Sequence, residues 1–91
     1  MLTDREREIL TIIAAHPDGI YARRIAKLLL HWKEGSKDYW ELHKADRSVR
    51  HYIKKGVLNG LIKVIRRETF PMNEKLDVIY YVLTTKGRSL V

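Results

Sequence analysis

The spacing of apolar residues changes period once along this chain, near Leu61, and that change limits the folds open to it. As far as Val57 the apolar side chains recur every three or four residues. From Leu61 onward they alternate, Leu61 to Arg67 and Asp77 to Leu83 being rich in Ile, Val and Tyr. A stripe written at the helical period presents no continuous face on a strand, and the reverse also holds. The pattern therefore predicts an α+β chain in which helices come first and a β-hairpin follows.

Local signals divide the helical part into three. Thr3 and Glu6 form a T-x-x-E capping box ahead of Ile9, Ile12, Ile13 and His16, which predicts a first helix from Asp4 to Ala15. The run His16-Pro17-Asp18-Gly19 stops it, and Ile20 is briefly extended. Ile25, Leu28, Leu29 and Trp32 mark a second helix, with Arg23, Arg24, Lys27 and His31 off its apolar stripe. Residues 33–45 contain Gly35 and Ser36 but also Tyr39, Trp40 and Leu42, and are expected as a structured loop with space for one extra helical turn. Asp46 has the chemistry of an N-cap for a third helix, 46–59, whose apolar residues Val49, Ile53 and Val57 repeat every four. Gly56 inside it costs about 1 kcal/mol relative to Ala, which points to close backbone packing, and Gly60 is the stop. The hairpin, 61–83, has a long polar tip containing Pro71 and Asn73, and a last helical turn is expected within 84–91.

A chain of 91 residues supports one core, so residues 1–91 are expected as a single domain. With 45% hydrophobic and 32% charged residues it has the composition of a folded globular chain. Eighteen Lys and Arg against eleven Asp and Glu leave a formal charge of +7, a bias toward polyanions. There is no cysteine, which removes disulfides, thiol catalysis and cysteine-ligated zinc and suits a reducing compartment. Ile9 to Ala15 is too short to span a membrane, and Glu6, Arg7 and Glu8 precede it where a signal peptide carries no acids. A cytoplasmic protein without membrane contact is expected.

Catalytic signatures are missing from the sequence. His16, His31, His43 and His51 have no metal-ligand spacing, and no nucleophile elbow, Walker loop or dinucleotide fingerprint occurs. No enzyme, metal, cofactor or small-molecule effector is expected. What stands out instead is the segment from Asp46 to Lys55, where Arg47, Arg50, Lys54 and Lys55 face one acid. An α-helix fits the major groove of DNA, where Arg pairs bidentately with guanine while Lys and Arg neutralise phosphates. A basic face kept only for solubility is the plainer alternative.

Two stretches carry a family resemblance. The first is Ser48-Val49-Arg50-His51-Tyr52-Ile53-Lys54-Lys55 followed by Gly60-Leu61-Ile62, with Gly60 eleven residues after Val49; the second is Tyr81-Val82-Leu83-Thr84-Thr85-Lys86-Gly87. With the order helix, helix, helix, hairpin, they resemble the winged helix-turn-helix family, especially small bacterial and archaeal regulators of the MarR and PadR kind. The resemblance implies a three-helix bundle with a two-stranded wing, a recognition helix at 46–59 in the major groove and a wing at 61–83 on the backbone or minor groove. It implies that Arg47, Ser48, Arg50 and His51 approach base edges while Lys54, Lys55, Arg23 and Arg24 meet phosphates. Arg66, Arg67, Asn73 and Lys75 are the wing candidates, their alternative being a charged strand edge that deters aggregation. Departures are Tyr21 where a Ser or Thr usually caps the second helix, Gly56 in place of a usual Leu, and the long 33–45 connection. The appended dimerisation helix of those regulators has no counterpart here, so an expected homodimer uses another surface.

The leading expectation is a sequence-specific double-stranded DNA-binding protein that regulates transcription by occupying a promoter. A winged-helix protein-interaction module of a transcription or ribosome-associated assembly is the first alternative, with Trp32, Tyr39 and Trp40 as the partner surface. Those three aromatics equally suit pinning a loop to the core, or stacking on single-stranded bases. Non-specific binding of nucleic acid is the second alternative.

Overall fold

The computed structural model describes residues 2–33, 35–69 and 77–91. Within them the chain forms α1 (Asp4–Ala14), β1 (Ile20–Tyr21), α2 (Ala22–Leu30), α3 (Tyr39–Leu58), β2 (Ile62–Thr69), β3 (Asp77–Leu83) and α4 (Thr85–Arg88). The α+β expectation holds: among the described residues, four helices accompany one small antiparallel sheet of order β1-β3-β2. Asn73 and Lys75 lie outside the described residues.

Helix α1 starts as its capping box predicts. The Glu6 N–H donates to Thr3 Oγ1 at 3.2 Å, and the Thr3 N–H donates back to the Glu6 carboxylate at 3.4 Å. Ile9, Leu10 and Ile13 are its buried stripe. Beyond its end Gly19 takes a φ of +105°, a backbone conformation that favours glycine, and it packs closely under the Ile65 and Tyr80 side chains. Helix α2 has Tyr21 at its N-cap with no side-chain cap bond, and it ends at His31, a non-glycine residue in the left-handed region at φ 52°. Trp32 therefore lies past the helix, half-buried against the core rather than on the helical stripe.

The third helix differs from its expected start. It begins at Tyr39, capped by Asp38, whose carboxylate accepts from the Glu41 N–H at 3.4 Å, and Asp46 lies inside it. Tertiary burial explains the extension. Leu42 stands seven residues before Val49, two helical turns back on the same face, and is fully buried, so the core stripe runs Leu42, Val49, Ile53, Gly56. The connection from α2 shrinks to residues 31–38. With 20 residues, α3 is about 30 Å long.

Its far end is a Schellman motif. Leu61 N–H donates to Gly56 O at 2.8 Å and Gly60 N–H to Val57 O at 3.1 Å, with Gly60 at φ 73°. The last carbonyls are used as well: Thr84 Oγ1 donates to Gly60 O and Lys86 Nζ to Asn59 O at 3.2 Å. Gly56 is the close approach expected of it, since a Cβ there would overlap the Ile62 side chain, 2.9 Å from its Cγ1.

In the sheet, Ile20 and Val64 both pair with Tyr81, and Ile62 pairs with Leu83. Ile20, Ile62 and Leu83 join Ile9, Ile13, Ile25, Leu42, Val49 and Ile53 in one core, with Tyr81 packed against it. A register shift between Val64 and Arg66 leaves Ile65 as the extra residue of a bulge. Beyond the bulge Arg66 pairs with Tyr80 and Arg67 with Ile79.

Candidate nucleic-acid interface

Because α3 spends one stripe on the core, the residues opposite that stripe face away from the protein. Trp40, Lys44, Arg47, His51, Lys54 and Leu58 follow one another at intervals of three or four and all are exposed, as are His43 and Arg50 on the flank. This face is covered neither by the described residues of the 31–38 connection nor by the described strands. Trp40, His43 and Lys44 were not expected on it. Asp38 three residues ahead of Glu41, with Leu42 in register with Val49, is the signal that places them there.

The cations on α3 divide by their partners. Lys44 pairs with Glu41 at 3.1 Å and Arg50 with Asp46 at 3.1 Å, both within the helix. Lys55 reaches back to Glu6 of α1 at 3.4 Å. Arg47 and Lys54 have no acidic partner among the described residues. The Lys44–Glu41 pair, exposed on both sides, is worth about 0–1 kcal/mol, so Lys44 remains available to a polyanion that offers more, whereas the acids holding Arg50 and Lys55 are largely buried. Glu6 itself is held below the ordinary carboxylate value. Desolvation pushes it up, but hydrogen bonds from the Thr3 hydroxyl and backbone N–H, and then the charge and hydrogen bond of Lys55, outweigh it.

Other elements add to one side of this helix. Arg50, Arg23 and Ala22 line a cleft of about 130 Å³ whose other walls are Tyr21 and, from β3, Val78, Ile79 and Tyr81. It joins the start of α2, the middle of α3 and the base of the hairpin. Arg24 is exposed beside it in sequence, at a helix start whose first amide groups have no side-chain cap. Ser48 and Lys55 fall on the opposite flank: Ser48 borders a hollow with Arg5, Leu29 and Leu30, and Lys55 is tied to α1. The structure thus brings Arg47, Arg50, His51, Lys54 and Arg23 to one continuous surface and sets Ser48 and Lys55 apart.

The hairpin separates its two arginines. Arg66 lies with its guanidinium carbon 4.0 Å from the centre of the Tyr80 ring and its Nε 3.7 Å from the Glu68 carboxylate, while the Tyr80 hydroxyl donates to Glu68 at 3.2 Å. Arg67 pairs with Ile79, one of the β3 residues lining the Arg23–Arg50 cleft, and strand alternation puts it on the same sheet face as Ile79 and opposite to Arg66. The aromatic trio also divides. Trp32 packs against the core with Tyr39 tilted against it at 5.7 Å, whereas Trp40 is 68% exposed and stacks on His43.

Among the described residues no group of three His, Asp or Glu side chains could hold a metal ion, and no helix is long and apolar enough to cross a membrane. Comparison of the chain with protein-family models, with curated proteins and with solved structures found no match.

Proposed function

We propose that this chain is a winged-helix protein that binds double-stranded DNA in a sequence-specific way and regulates transcription by occupying a promoter, as a homodimer on a roughly palindromic site. The observation that carries the reading is the outward face of α3, about 30 Å long and uncovered by any of the described residues, with Arg47, His51 and Lys54 along it and Arg50 at its edge. A helix of this width fits the major groove, and the base of the hairpin lies beside it, with Val78, Ile79 and Tyr81 lining the cleft that Arg23 and Arg50 share. In this reading α3 enters the groove. Arg23, Arg24 and the uncapped start of α2 meet one phosphate strand, and the hairpin meets the backbone or the minor groove.

Selection of bound duplexes from a random pool at two salt concentrations tests it. A motif should be enriched, with two half-sites if the protein is a dimer. Contact with about four to six phosphates per protomer predicts a log–log salt slope of roughly −4 to −5. Arg50→Ala should relax base preference at one position while Lys54→Ala weakens all duplexes alike. Equal affinity for random duplexes would instead mean non-specific packaging. A second reading has its own observation: Trp40 and Leu58, 68% and 78% exposed on the same face, are large apolar groups of the kind found in protein interfaces. Binding of a protein partner in place of DNA predicts no duplex affinity beyond that of a comparably basic control.

A further inference from the structure

Asp46 is out of place for stability alone. It occupies the interior of α3, where Asp is a poor helix former, and the residue is 9% exposed. Its Oδ2 accepts from Arg50 Nε at 3.1 Å, and its other oxygen, Oδ1, is buried with no hydrogen-bond partner among the described residues. A buried carboxylate with an unsatisfied oxygen costs free energy that an alanine in the same place would not. What the arrangement does is hold Arg50. The Arg50 side chain is 62% exposed, and only its Nε–H is engaged; the two terminal nitrogens make no hydrogen bond among the described residues.

Building on the DNA-binding reading above, we propose that Asp46 is a positioning residue that presets Arg50 to read a guanine. A guanidinium has five N–H groups in a rigid fork, and the terminal pair matches the O6 and N7 acceptors that guanine shows in the major groove. Gripping Nε from behind fixes the plane of the fork and leaves that pair pointing outward. A long side chain then loses less rotamer freedom on meeting its base. The acid also offsets the charge of Arg50, so this arginine adds little to attraction for phosphate in general. Arg47 and Lys54, which have no acidic partner among the described residues, supply that attraction instead. Affinity and sequence preference thus reside in different side chains of one helix.

The two functions respond to Asp46→Ala in opposite directions. With the motif obtained by duplex selection, wild type should prefer guanine at the Arg50 position by about tenfold. Asp46→Ala should cut that preference to about threefold or less, leave preferences at other positions unchanged, and tighten binding to random duplex. Asp46→Asn, which keeps a carbonyl acceptor for Nε–H, should retain more of the preference than Asp46→Ala. Alanine is a better helix former than aspartate, so the variant should fold, and a thermal melt checks this. An unchanged guanine preference, or an equal loss at every position, overturns the proposal. A measurement without DNA separates it from the reading it rests on: the Arg50 Nε–H proton, identified by its loss in Arg50→Lys, should exchange with solvent more slowly than that of Arg47 and speed up in Asp46→Ala. Equal exchange rates would refute the Asp46 grip even if DNA binding stands. A slow Nε–H in a protein that selects no motif would refute the DNA-binding reading, and with it the guanine assignment, while the grip itself remained.

Discussion

Gly56 shows how one missing methyl group sets the distance between a helix and a strand. Its position inside α3 costs about 1 kcal/mol relative to Ala, and an alanine would recover that amount if space allowed. Space does not allow it, because the new Cβ would overlap Ile62, itself 3% exposed and unable to move outward without leaving the core. Overpacking a site of this kind costs about 1–3 kcal/mol. The expected net effect of Gly56→Ala is a loss of about 1 kcal/mol, seen as a lower urea midpoint with an unchanged slope. In an Ile62→Ala background, which removes both crowded atoms, the same substitution should be neutral or stabilising. An equal cost in both backgrounds would show that the contact is not the cause. The need for close packing was legible in the sequence, since a glycine within a helical stripe calls for a reason. Its partner was not, because which strand residue meets which helix turn depends on how distant parts of the chain dock.

Between elements, the Lys55–Glu6 bridge is the ionic link from α3 to α1, and it also supports the capping box through the shared Glu6 carboxylate. That carboxyl titrates below its ordinary value of 4.5 in the folded protein, so the folded state favours its charged form. The sign follows: the stabilisation is fully present above the unfolded value and is lost as pH falls through the lower, folded one. Wild type should therefore lose stability below about pH 4.5 more steeply than Glu6→Gln, measured as urea midpoints across an acid pH series. Parallel pH curves would mean that neither the capping-box hydrogen bonds nor the bridge favours the charged carboxylate in solution. At this scale the sequence was legible wherever a local signal had no rival, as with the Thr3–Glu6 box and the Gly60 stop. It misled where two signals of equal local strength competed. Asp38 and Asp46 both precede apolar residues at helical spacing, and only the burial of Leu42 in the assembled core decides that the first is the cap. The same ambiguity hid Trp40, His43 and Lys44 from the candidate interface and made the connection before α3 look longer than it is.

Across the whole molecule, an excess of +7 attracts polyanions from every side, so net charge alone cannot say which surface does the binding. The hairpin offers a way to decide, because sequence adjacency makes Arg66 and Arg67 look equivalent while the bulge at Ile65 and strand alternation send them to opposite faces. Arg66 is held by Glu68 and the Tyr80 ring, and releasing it would forfeit both contacts. Arg67 stands on the same face as Ile79, one of the residues lining the Arg23–Arg50 cleft. If DNA lies against α3 with the hairpin alongside, Arg67→Ala should weaken binding to all duplexes alike and reduce the magnitude of the log–log salt slope by about one, the share of a single phosphate contact. Lys54→Ala should behave in the same way, and the double variant should lose about two, since the residues lie on separate elements and act on separate phosphates. Arg66→Ala should leave the slope nearly unchanged and lower the thermal stability of the free protein instead. The opposite ranking, with Arg66 governing the slope and Arg67 silent, would place the nucleic acid on the far face of the sheet. In that geometry α3 could not enter a groove.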